Sequence, residues 1–333
     1  MNQNRLLFFI ISILLMLQSL SCNRHYLQPS WNKDVVLFNP SDYGRPVDIA
    51  TYSEISKELD LSTEEVDHSF INNTESFFDK EGQLKFKVLI LPGGEPYRWF
   101  EAATGRGLDC EGVWNILKFV KSGGSVIGMC LCSSSLFVSD VEWLNPTLEQ
   151  AQRGEWNRTN SWPGWFFHFC NVTPPFKGIV RGPQESNRPY PMTKFLPITM
   201  NPDNEIVQEA NLPPVIHQIV VGSGSLIPNK DQPIDVVGWY PNGTIAIGIV
   251  PYGKGRIILS NPHPNITGHR ADQWRIEVPM GNHAKRWGWT KQMMAEGKEV
   301  VKSNTDPDGP EPDWALAKSM LSYAYKTASD GLD

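Results

Sequence analysis

Gly124-Ser125-Val126-Ile127-Gly128-Met129-Cys130-Leu131-Cys132-Ser133-Ser134 is an apolar run that stops at a cysteine flanked by small residues. A strand that turns sharply into a helix throws its last side chain out at the carboxyl edge of a sheet. The residues two positions either side must then be small to avoid a clash. Gly128 and Cys132 meet that requirement. Residues 125–129 therefore predict a buried strand, Cys130 a candidate nucleophile on its exit turn, and Leu131 the start of the next helix.

Upstream, Phe86-Lys87-Val88-Leu89-Ile90-Leu91 predicts another strand, ended by Pro92-Gly93-Gly94. Between the two, Val113, Ile116, Leu117 and Val120 recur at i, i+3, i+4 and i+7, the stripe of a helix packed on a sheet, and Ser122-Gly123-Gly124 closes it. Asp34-Val35-Val36-Leu37-Phe38 reads as a first buried strand, followed by a turn through Pro40 and Gly44 and a further βα unit from about Val47. Downstream, Asp235-Val236-Val237-Gly238-Trp239-Tyr240 and residues 244–250 flank Pro241-Asn242-Gly243, a strong hairpin signal. Residues 256–260 form one more strand, ended by Asn261-Pro262-His263-Pro264-Asn265, and residues 314–325 a closing helix.

Strands alternating with helical stripes predict a mostly parallel sheet covered by helices on both faces. Ligands of such sheets gather at the carboxyl ends of the strands. Pro92-Gly93-Gly94 and Cys130 both fall there. Residues 140–232, rich in Pro, Asn, Trp and Gly without sustained periodicity, read as insertions and loops. Their aromatic cluster, Trp156, Trp162, Trp165, Phe166, Phe167 and Phe169, suits either a small core of its own or a ligand-stacking surface.

The 333 residues carry 40% apolar side chains, enough for a sizeable core. A net charge of −6 without a basic block gives no footprint for nucleic acid or an anionic membrane. Residues 1–22 read as a secretory signal peptide: Arg5, an apolar run over residues 6–17, then Ser19-Leu20-Ser21-Cys22. That run is about 12 residues against the roughly 20 that span a bilayer, so no stable membrane span is expected. An uncleaved anchor is the alternative. A lipoprotein signal at Cys22 fits poorly, because Ser19 stands where an aliphatic residue is expected. Five sequons, at Asn72, Asn157, Asn171, Asn242 and Asn265, suit glycosylation on a secretory route. There Cys110, Cys130, Cys132 and Cys170 permit two disulfides, or one if Cys130 stays a thiol.

A cysteine on a tight turn after one strand, with a histidine just after a later one, is the order expected for a thiol nucleophile and an imidazole base. The thiolate is the reactive form, and a neighbouring histidine and a helix amino terminus lower the pKa that governs it. Backbone N–H groups of Gly93, Gly94 and Leu131 are placed to hold an oxyanion. The plainer alternative leaves Cys130 as a buried structural thiol or half of a disulfide, and His263 as a loop cap. His168, His217, His269 and His283 lack metal-ligand spacing, so no metal or cofactor is implied. Glu95 and Glu185 suit outer carboxylates or solvated ones.

Leu91-Pro92-Gly93-Gly94, the helix and turn of residues 116–124, Gly128-Met129-Cys130, Val180-Arg181-Gly182-Pro183 and Ser260-Asn261-Pro262-His263-Pro264 together resemble the class I glutamine amidotransferase-like superfamily, and more narrowly the biotin-protein ligase amino-terminal-like family. The resemblance spans most of residues 34–270. It implies a flavodoxin-like α/β three-layer sandwich, Cys130 as nucleophile, His263 as base, and Gly93 and Gly94 in an oxyanion loop. Two positions depart from the superfamily pattern: Cys132 replaces a glycine, and Asn265 replaces an acidic residue. An amide oxygen at Asn265 can still accept the histidine Nδ1 proton, as in Cys-His-Asn proteases. No ligase catalytic half is visible, since Gly105-Arg106-Gly107 is too short for its nucleotide loop, and no synthetase domain is present to receive ammonia.

The expectation is a signal peptide over residues 1–22 and a single amidotransferase-like domain over 30–330, with insertions around 140–232 and a C-terminal helix. Its function would be secreted, cysteine-dependent hydrolysis of a small-molecule or peptide amide, or a related acyl bond, by Cys130 and His263. The alternative is a catalytically silent module of the same fold that binds a small ligand, a glycan or a protein. Neither the substrate nor the oligomeric state is written in the sequence.

Overall fold

In the computed structural model of the protein, residues 33–40, 46–93, 108–130, 138–141, 176–181, 193–221, 224–227, 234–264 and 312–330 are described. Strand β1 (Val35–Phe38) is buried along its whole length, and so are β3 (Val88–Leu91) and β4 (Ser125–Met129). Continuous apolar strands of this kind suit a parallel sheet covered on both sides. With the edge strand β2 (Thr63–Val66) and β12 (Gly255–Ser260) they form the parallel half of the sheet, in the order β2-β1-β3-β4-β12. This is the 2-1-3-4-5 order of a flavodoxin-like doubly wound sheet, whose switch point lies between its first and third strands.

Beyond β12 the sheet turns antiparallel, through β11 (Ile245–Tyr252), β10 (Asp235–Trp239), β7 (Thr193–Met200) and β8 (Val215–Val221). β5 (Val138–Val141), β6 (Phe176–Arg181) and β9 (Gly224–Ile227) branch from it through β11. The expected hairpin is the β10–β11 pair. The stretch around 140–232 is therefore richer in regular structure than its pattern predicts. It supplies β6 to β9 and the short helix α5 (Glu205–Glu209).

Alternate residues of each parallel strand serve opposite cores. On one face Val36, Phe38, Leu89, Leu91, Val126, Ile257 and Leu259 meet helix α4 (Cys110–Lys121) through Val113, Ile116, Leu117 and Val120. The short helices α2 (His68–Ile71) and α3 (Thr74–Phe77) close that layer, and Phe77, Phe86 and Phe119 pack ring on ring. On the other face Val35, Leu37, Val88, Ile90, Ile127 and Met129 meet α1 (Pro46–Glu58) and the C-terminal helix α6 (Pro312–Asp330). Each large apolar side chain so enclosed contributes about 1.5–3 kcal/mol. The result is the expected α/β three-layer sandwich.

The turn between α4 and β4 sets the line of the strand that ends at Cys130. Asp109 caps the start of α4, its side chain accepting the Gly112 N–H at 2.9 Å. At the far end Gly123 takes φ +118°, its N–H bonding to the Val120 carbonyl, while the Gly124 N–H bonds to that of Phe119. That pair of bonds is a Schellman stop, and it needs a residue without a Cβ at Gly123.

Candidate active site

Neighbouring parallel strands bring their exit loops together by register alone. Leu91 of β3 and Leu259 of β12 both pair with Gly128 of β4. Two residues beyond Leu91 stands Gly93, and two beyond Gly128 stands Cys130. The chain leaving β12 turns through Ser260, whose hydroxyl donates to the Pro262 carbonyl at 2.9 Å, and delivers His263. The Asn261 N–H donates to the Ala246 carbonyl of β11, which anchors this turn.

Cys130 has φ +63°, a left-handed conformation that a side chain with a Cβ adopts at a cost. It is 4% exposed and is not part of a disulfide. Strand-to-helix turns that present a nucleophile in α/β enzymes are strained at this position. Asp60 and Asn211 are the other non-glycine residues at positive φ among the described residues. They are Asp and Asn, which tolerate the left-handed region.

His263 and Cys130 converge over Gly93. A Cβ at Gly93 would lie 2.8 Å from His263 Cε1, 3.0 Å from Cys130 Cβ and 3.1 Å from Asp48 Oδ2. The four residues thus enclose one point, where only a hydrogen atom fits. Asp48, on the first turn of α1, is fully buried. Its Oδ2 accepts the Gly93 N–H at 2.5 Å, and its Oδ1 lies 3.7 Å from His263 Nδ1. The Gly93 N–H, expected to serve an oxyanion, is therefore engaged by a carboxylate here. One turn along α1, Tyr52 is wholly buried. That burial, with the Asp48 charge added, pushes its phenol well above the ordinary tyrosine range.

Sequence reasoning brings Cys130, His263 and Gly93 to one place, and the structure places them together. Gly94, Leu131 and Asn265 lie outside the described residues, as do the sequons at Asn157, Asn171 and Asn265. Cys132 and Cys170 also lie outside them, and the Cys110 side chain is not described. Asp48 was the residue missed. Its signal was an acidic side chain just after the first strand's exit turn, at the sheet edge where sites form.

The arrangement gathers a thiol, an imidazole and a carboxylate around Gly93 in a buried place, where interactions between charges are strengthened. Among the described residues no cluster of three histidine, cysteine or acidic side chains is set to hold a metal ion. No helix among them is long and apolar enough to cross a membrane.

No family model and no curated protein matches this sequence. Among solved structures, a glutamine amidotransferase from Thermotoga maritima is similar at 11% identity, with a TM-score of 0.48, over 89% of this chain and 99% of that one. A glutamine amidotransferase from Methylobacillus flagellatus is similar at 10% identity and 0.45, over 91% of this chain and 96% of that one. A β-galactosidase from Bacillus circulans is similar at 13% identity and 0.40, over 71% of this chain and 29% of that one. These likenesses add nothing to the strand order, which already gives the architecture, and no activity follows from them.

Proposed function

We propose that this protein is a cysteine-dependent hydrolase of amide or related acyl bonds, built on the class I glutamine amidotransferase-like plan and within it akin to the biotin-protein ligase amino-terminal-like family. The observation that carries the reading is Cys130, strained at φ +63° on the exit of a central parallel strand, sharing one point of closest approach with His263 and Asp48. A buried thiol with a purely structural role has no need of a left-handed backbone.

In this reading the Cys130 thiolate attacks the carbonyl carbon, forming a C–S bond. His263 passes its proton to the departing amine as the C–N bond breaks, which leaves a thioester. His263 then takes a proton from water, the water oxygen attacks the thioester, and the thiolate departs. Asp48 orients the imidazole and balances its charge, the role first expected of Asn265. Leu131 and Gly94 are the oxyanion donors. Gly93 joins them only if Asp48 releases its N–H. Residues 1–22 serve as a secretory signal in the same reading.

Full burial of His263 and Asp48 favours the second reading, a silent module of the same fold that binds a small ligand, a glycan or a protein. Two measurements separate them: iodoacetamide labelling of Cys130 across pH 5 to 8, and mass detection of an acyl group on Cys130 after incubation with a panel of amides and activated esters. Alkylation below about pH 7 together with an acyl adduct lost in C130S is the expected result. Labelling that rises only above the ordinary thiol range of about 8.5, with no adduct from any substrate, overturns the hydrolase.

A further inference from the structure

Two sequons fall among the described residues, and their surroundings differ. Asn72-Asn73-Thr74 is sewn to helix α4. Asn72 Oδ1 accepts the Asp109 N–H at 3.2 Å, and a Cβ on Gly112 would lie only 2.3 Å from that oxygen. Asn73 caps α3, and Thr74 Oγ1 lies 2.6 Å from Glu111 Oε1 and 2.9 Å from Asn115 Oδ1. Asn72 is half-buried, with its carboxamide docked by the oxygen on the first turn of α4, so a glycan there would crowd that packing.

Asn242-Gly243-Thr244 stands alone at the tip of the β10–β11 hairpin. Pro241, Asn242 and Gly243 are all exposed, and no atom lies within 4 Å of a Cβ placed on Gly243. Asn242 Oδ1 accepts both the Thr244 N–H, at 3.1 Å, and the Thr244 hydroxyl, at 2.7 Å. Both bonds fall on the oxygen, so the amide nitrogen is the substituent left to face away from the turn.

We infer that Asn242 is an N-glycan acceptor of the folded protein and that Asn72 is not. The inference rests on the secretory reading of residues 1–22. In the transfer, Asn242 Nδ2 attacks the anomeric carbon of an oligosaccharide carried on a polyprenyl diphosphate. The C–N bond forms, the C–O bond to the diphosphate breaks, and the polyprenyl diphosphate leaves with the Nδ2 proton passing to a base. The glycan stands on the edge of the sheet that carries the candidate active site, since Ile247 pairs with Ser260 and the Ala246 carbonyl holds the turn to His263.

The experiment replaces residues 1–22 by a foreign secretory leader, expresses the chain in cultured eukaryotic cells and maps peptides after glycosidase release in heavy-oxygen water, which marks each formerly modified Asn as labelled Asp. The expected result is label at Asn242 and none at Asn72, with N242Q still secreted and lacking one glycan's shift in gel mobility. An unmodified Asn242, or a glycan on Asn72 in the folded secreted fraction, overturns the inference. A parallel expression with the native residues 1–22 separates the two claims. Retention inside the cell with that leader alone sinks the secretory reading and leaves the ranking of the two sites to be judged on the foreign leader.

Discussion

Asp48 Oδ2 accepts the Gly93 backbone N–H at 2.5 Å, across 45 residues of sequence. The other oxygen of the same carboxylate faces His263 Nδ1 at 3.7 Å. One buried carboxylate from the first helix therefore holds the loop after β3 while facing the imidazole after β12, and both close on the point that Cys130 Cβ also approaches.

Replacing Asp48 by Asn keeps a hydrogen-bond acceptor for Gly93 but removes the charge that favours an imidazolium. Hydrolysis is expected to fall by on the order of 10²- to 10⁴-fold, mostly in kcat. The alkaline limb of the pH–rate profile should move to lower pH, because without the opposite charge beside it the imidazolium gives up its proton more readily. Steady-state kinetics of D48N across pH 5 to 8 check this, and an unchanged profile refutes the orienting role.

Gly93→Ala tests the shared point of approach. The added methyl would meet His263 Cε1 at 2.8 Å and Cys130 Cβ at 3.0 Å, in a buried place with no slack. Overpacking of this sort costs about 1–3 kcal/mol. Urea unfolding should register that loss, and alkylation of Cys130 should slow. A variant with native stability and native labelling would mean that the loop after β3 lies elsewhere.

At Cys130 the backbone, not the side chain, is under strain, so two truncations should differ. Both C130A and C130G are expected to abolish the proposed hydrolysis. C130G should be the more stable of the pair by about 1–2 kcal/mol, because glycine adopts φ +63° freely. Denaturant titration of the two variants side by side decides the matter.

Far from the site, Asp34 accepts the Ser62 N–H at 2.8 Å, the Ser62 hydroxyl at 2.7 Å and the Tyr325 hydroxyl at 3.0 Å. Burial by itself would raise its carboxyl, but these hydrogen bonds and the nearby Lys87 charge win and hold it below the ordinary aspartate range. A depressed carboxyl stabilises the fold above its unfolded value and loses that contribution as pH falls through the folded value. Y325F should thus cost about 0.5–1.5 kcal/mol near neutral pH. The gap from the native protein should close below about pH 3.9 as Asp34 takes up a proton. Urea titrations at both ends of that range test the sign.

Much of the site was legible because parallel strands and exit turns leave strong local marks. Val126-Ile127-Gly128-Met129-Cys130 combines a buried strand with small residues at the turn, and register then brings the ends of β3 and β12 alongside. Asp48 was hidden by a commonplace explanation: an acidic residue in the first turn of a helix complements the helix dipole and calls for no other role. The antiparallel extension was hidden for a different reason. β8 carries His217 and Gln218 within an otherwise apolar run, and Gln218 is buried because its amide donates to Asp313 Oδ1 of α6 at 3.1 Å, a partner 95 residues away. β7 carries Pro197 within its ladder, which demotes the segment in any local reading.

The Tyr325 hydroxyl and Asp34 are separated by 291 residues, and Lys87 lies 4.2 Å over the Tyr325 ring. At a synthesis rate of about 5–20 residues per second, β1 leaves the ribosome roughly 15–60 s before α6 is available to cover it. From the time β4 has emerged until then, the face formed by Val35, Leu37, Val88, Ile90, Ile127 and Met129 lacks its final layer. The wait for the last helix is thus the window in which the nascent chain carries the kind of exposed apolar surface that favours aggregation.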